Sequence, residues 1–110
     1  MSRIQALGDF EQLVLLGVLQ GGPEAYGVPI WREVETRTGR RVSLGAVYKT
    51  LDRLEAKGLA RSARGEPTSE RGGRSKRVYQ LTAVGLRSLR ASLDALARMT
   101  DGLEAELSTR

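Results

Sequence analysis

Apolar residues near the start of the chain recur at helical spacing, through Phe10, Leu13, Val14, Leu16, Gly17 and Leu19. Asp9 is the expected N-cap, with Gln12 as its capping-box partner, and Gly21-Gly22-Pro23 is the expected stop. A second helical pattern covers residues 26–37, with Val28, Ile30, Trp31 and Val34 as its apolar face. Pro29 falls in its first turn, where a missing N–H costs little, and Gly39 ends it. The third pattern is the clearest: Ser43 begins it, Val47, Leu51 and Leu54 form the stripe, Leu44 and Tyr48 flank it, and Gly58 closes it after Lys57. Two strand-like segments follow, residues 59–64 and 77–81, separated by a polar, glycine-rich stretch over 65–75. That stretch is too long for a tight turn and predicts a hairpin with a mobile basic tip. Thr82 then caps a last helix of about 25 residues, roughly 37 Å long. Its seam is Leu86, Leu89, Leu93, Leu96, Met99, Leu103 and Leu107, with a polar interruption at Thr100.

The pattern predicts a mainly α chain with one small β-hairpin, and composition narrows what it can do. The 110 residues suit one modest domain, and the five aromatic residues leave the core to Leu, Val, Ile and Ala. There is no Cys and no His, which excludes disulfides, Cys/His zinc sites and His-based triads. Glu66 and Glu70 sit in the exposed loop, where nothing would shift their pKa values for acid–base work. No enzyme activity, cofactor or metal is expected. No apolar run approaches the ~20 residues of a membrane span, and the N-terminus lacks a signal-peptide pattern. A soluble cytoplasmic protein without a membrane partner is expected.

Charge adds a direction. The net charge of +5 is unevenly spread. Residues 1–42 carry five basic and five acidic side chains, and residues 82–110 carry four of each. Residues 43–81 carry nine basic side chains (Lys49, Arg53, Lys57, Arg61, Arg64, Arg71, Arg74, Lys76, Arg77) against four acidic. Alone, that surplus reads equally as a solvated face or as a footprint for phosphates. The layout it falls on is three helices followed by a hairpin, the winged helix-turn-helix, which places one helix in a major groove ~12 Å wide. The turn over residues 38–42 leads into the third helix, making it the recognition helix. Its reading face is expected to carry Ser43, Gly45, Ala46, Lys49 and Thr50, with Tyr48 beside them.

Gly45-Ala46-Val47-Tyr48-Lys49-Thr50-Leu51, continuing to Gly58-Leu59, resembles the recognition-helix signature of the PadR family of bacterial transcriptional regulators. Leu7-Gly8-Asp9-Phe10-Glu11, Tyr26-Gly27 with Ile30, and Arg71-Gly72-Gly73-Arg74 with Val78-Tyr79-Gln80-Leu81-Thr82 and Gly85 resemble its other segments in order. The resemblance spans residues 5–86 and is nearest the small subgroup with a single C-terminal helix. It implies a homodimeric DNA-binding repressor, often released by a small aromatic or amphipathic effector and dimerising through C-terminal helices. Three departures stand out: Lys49 where many relatives have proline, Val78 where a tyrosine is common, and Trp31 on the second helix.

With the resemblance, residues 1–81 are expected to form a winged-helix DNA-binding domain and 82–110 a dimerisation helix. The expected partners are double-stranded DNA at an inverted repeat and a second copy of the chain. The expected DNA-binding residues are Tyr26, Ser43, Gly45, Tyr48, Lys49, Arg53, Arg71, Arg74 and Lys76. Several keep two readings. Tyr48 is a groove contact or a packing residue, Arg53 a DNA contact or a partner of neighbouring acids, and Tyr26 with Gly27 a phosphate-facing helix start or a plain helix entry. Trp31 is core or a ligand cradle, and the leucine seam an intramolecular core or a dimer interface. The rival function is an adaptor that keeps the fold and binds protein through its last helix.

Overall fold

In the computed structural model, which describes residues 7–67 and 75–108, the helical stripes fold inward on one another. The elements are α1 (Asp9–Gly21), a single 3-10 turn (Gly22–Glu24), α2 (Gly27–Thr38), α3 (Leu44–Ala56), β1 (Ala60–Pro67), β2 (Ser75–Leu81), α4 (Ala83–Thr100) and the short α5 (Glu104–Leu107). Val14, Leu15 and Val18 of α1 meet Ile30 of α2 and Val47, Leu51 and Leu54 of α3, and Leu59, Ala60, Tyr79 and Leu89 complete the core. The strands are antiparallel, with Ala60 opposite Leu81, Ser62 opposite Tyr79 and Arg64 opposite Arg77, and the register shifts between Arg64 and Pro67. Both strands run further toward the tip than the apolar pattern predicted, because backbone pairing continues where the side chains turn polar.

Four local expectations change. Gly8, not Asp9, is the N-cap of α1, and the partner of its N–H is the Glu11 carboxylate at 2.9 Å, not Gln12. Thr50 is buried, because the turn that points Val47 and Leu51 inward carries Thr50 with them. The last helix is not one rod: α4 stops at Thr100, and Gly102 turns the chain with a φ of 85° before α5. Leu89 leaves the expected seam, since it is 2 % exposed and belongs to this chain's own core.

Among the described residues, Glu11 is the one buried carboxylate. It accepts from Lys57 Nζ at 2.9 Å, and Arg53 lies 3.9 Å away, so it ties the start of α1 to the end of α3. Burial pushes its carboxyl up, but the Lys57 and Gly8 hydrogen bonds, with the Lys57 and Arg53 charges, outweigh this and hold it below the ordinary value of 4.5. A depressed carboxylate stabilises the fold above its unfolded pKa, and the contribution is lost as pH falls through the folded value. Glu11→Gln should therefore cost about 1–3 kcal/mol at neutral pH. Thermal unfolding at several pH values should show the gap to wild type closing below pH 4.5.

Candidate nucleic-acid interface

The placement of α3 depends on how the turn before it is held. Trp31 of α2 donates its indole N–H to the Val42 carbonyl at 2.8 Å, and the Val42 N–H donates to Glu35 Oε2 at 2.9 Å. Both backbone groups of Val42 are thus fixed from α2, one residue before Ser43. Ser43 then caps α3, its Oγ accepting the Ala46 N–H at 3.0 Å. Trp31 is half-buried against the core, and its one donor is spent on this turn.

Beyond the cap, α3 exposes Gly45, Tyr48 and Lys49, with Ser43 exposed just before them. Tyr48 is 43 % exposed, and the rest of its ring lies against Gly27 at the start of α2. Tyr26, the next residue back, is half-buried, and Lys76 of β2 holds its ammonium 4.2 Å from the centre of the Tyr26 ring. The third helix, the start of the second and the tip-ward end of β2 therefore meet through Tyr48, Gly27, Tyr26 and Lys76. A polar cleft of about 340 Å³ opens beside them, lined by Glu24, Tyr26, Arg64, Gly65 and Lys76 among others.

The remaining cations divide. Arg53 is turned to Glu11 of α1, so of its two readings the partner of an acid is the one its geometry displays. Arg77 donates to Ser62 Oγ at 2.9 Å, and Ser62 in turn donates through N–H and Oγ to Glu55 Oε2 at 3.1 and 2.8 Å. That chain braces the hairpin on α3. Arg77 and Lys76, adjacent on a strand, consequently serve opposite faces. Arg64 and Arg77 stand directly across the ladder, a like-charge pairing that an anion would relieve. Arg71 and Arg74 lie outside the described residues, as does the expected basic tip. The sequence pattern did not point to Glu11 or Glu35, and it marked Gly27 as a helix entry without the Tyr48 ring against it. Glu11 meets Lys57 46 residues on and Glu35 meets the Val42 N–H seven residues on, contacts that helical periodicity does not reveal.

A helix held by its turn against two others, exposing small and basic residues at its start beside a hairpin, is a winged helix-turn-helix DNA-binding arrangement. The chain belongs to the PadR-like family of transcriptional regulators, whose family model matches residues 15–91. It is 41 % identical over 78 residues to the transcriptional regulator Rv3488 of Mycobacterium tuberculosis, covering 68 % of each chain. Among solved structures, it is similar to a PadR family transcriptional regulator from Eggerthella lenta, with a TM-score of 0.63, 28 % identity and coverage of 90 % of this chain and 84 % of that one. A PadR-like regulator from Bacillus cereus shares the fold at a TM-score of 0.69 and 19 % identity, covering 92 % of this chain and 93 % of that one. The protein is thus a DNA-binding transcriptional regulator of a non-enzymatic family. Among the described residues no helix is long and apolar enough to cross a membrane.

Proposed function

We propose that the protein is a homodimeric repressor that sets two α3 helices into successive major grooves of an inverted-repeat operator, about 34 Å apart. Repression follows the direction of the family resemblance. The observation that carries the DNA reading is the joining of α3, the start of α2 and the tip-ward end of β2 through Tyr48, Gly27, Tyr26 and Lys76. Ser43, Gly45, Tyr48 and Lys49 read or approach the groove, while Tyr26 and Lys76 face flanking phosphates. Arg71 and Arg74 join the phosphate contacts on sequence grounds, and Arg53 is left to Glu11.

The dimer reading rests on α4. From Leu93 to the end of the described chain every residue is exposed, including Leu96 at 58 % and Met99 at 75 %. Residues 82–110 accordingly form the dimerisation segment, with Leu86, Leu93, Leu96, Met99, Leu103 and Leu107 in the seam. A cleft of about 410 Å³ between the end of α1, β2 and the start of α4, lined by Val18, Leu19, Tyr79, Leu81 and Leu86 among others, has the apolar character to admit a small aromatic or amphipathic effector beside that seam.

Lys49→Ala tests the reading at the groove. On a duplex selected from random-sequence DNA by the wild-type protein, affinity should fall and the slope of log affinity against log salt should shrink by about one. Unchanged affinity for both Lys49→Ala and Arg74→Ala would refute the contact assignment.

A further inference from the structure

Gly27 has no backbone reason to be glycine. It lies in the first turn of α2 and is absent from the positive-φ glycines, so any residue could adopt its conformation. What occupies the place of its missing side chain is the outer end of Tyr48: a β carbon built there would overlap Cε1, Cζ and Oη of the ring. Those atoms are the free end of a side chain that is 43 % exposed, so the ring has room to swing away while both helices stay in place.

We propose that Gly27 is a positioning residue for DNA reading. Its bare backbone is the seat of the Tyr48 ring, and the seat fixes where the recognition helix presents its phenol. The inference rests on Tyr48 being a DNA contact. An exposed tyrosine with no packing partner samples several rotamers and loses that freedom on binding. Seated on Gly27, it is ordered before DNA arrives. The adjacent Tyr26 ring performs the matching service for Lys76, so the N-cap and first residue of α2 align a group from the recognition helix and one from the hairpin.

The test is a double-mutant cycle of Gly27→Ala, Tyr48→Ala and the pair together. Affinity is measured by fluorescence anisotropy on the duplex selected by the wild-type protein, and melting temperature alongside. Gly27→Ala should weaken binding about tenfold, with the melting temperature within a few degrees of wild type, because only a mobile ring is displaced. Tyr48→Ala should weaken it comparably, and Gly27→Ala should add no loss in that background. In Tyr48→Phe, which keeps the ring, Gly27→Ala should still weaken binding. If Tyr48→Ala weakens binding and Gly27→Ala does not, the seat is refuted while the contact stands. An equal loss from Gly27→Ala in both backgrounds, or a collapse of its melting transition, refutes it as well, since the effect then runs through the fold. A silent Tyr48→Ala overturns the contact reading itself.

Discussion

Leu96→Glu should convert the protein to a monomer and lower its operator affinity about a hundredfold or more. In the single chain Leu96 is 58 % exposed, so a carboxylate there meets water and the fold is unaffected. In a seam of apposed α4 helices the same carboxylate would be set among Leu93, Met99 and their copies, and burying a charge in an apolar interface is among the costliest changes it can suffer. Loss of the dimer separates the two recognition helices, and with them the gain from binding both half-sites at once. The radius of gyration is 15.6 Å, above the ~13 Å of a compact chain of this size. Light scattering should report a dimer for wild type and a monomer for the variant, with equal helix content by circular dichroism. A dimeric Leu96→Glu would place the interface elsewhere.

Gly85→Ala should destabilise the fold by at least about 3 kcal/mol and lower the melting temperature by more than about 12 °C. The sign runs against helix propensity, since alanine for glycine inside a helix is ordinarily stabilising by about 1 kcal/mol. Here a β carbon would overlap the Leu59 carbonyl oxygen and carbon. Unlike the Tyr48 ring, Leu59 cannot give way. It is fully buried, its N–H donates to the Leu54 carbonyl at 2.9 Å, and its own carbonyl accepts from Thr82 at 3.1 Å. Thr82 also caps α4 through Gly85 and donates its hydroxyl to Gly58 at 2.7 Å, so the helix start, the hairpin base and the end of α3 share one junction. A melting temperature equal to or above that of wild type, followed by circular dichroism, would contradict this packing.

The junctions explain what the sequence could show. The stops at Gly39 and Gly58 and the caps at Ser43 and Thr82 were legible because they act locally, through φ or a side chain three residues away. The basic surplus over 43–81 was legible because charge is additive along the chain. The end of α4 was not, since the leucine spacing runs on through Leu103 and Leu107 while the turn at Gly102 depends on a single dihedral. Leu89 and Leu93 look alike in a periodic stripe, and only the packing of α4 against the core separates the buried one from the exposed one. Glu11 reads as a helix-start acid until Lys57, 46 residues on, is brought beside it. Gly27 reads as a helix entry until Tyr48 is laid on it.

That last contact lies at the centre of the proposed DNA surface, and amide hydrogen exchange with and without the selected duplex tests the surface most directly. Exchange should slow at residues 26–28, 43–50 and along the hairpin, with the outer half of α4 changing little if its copy already covers it. Slowing confined to α4, with α3 and the hairpin unaffected, would contradict this by placing the DNA on the last helix.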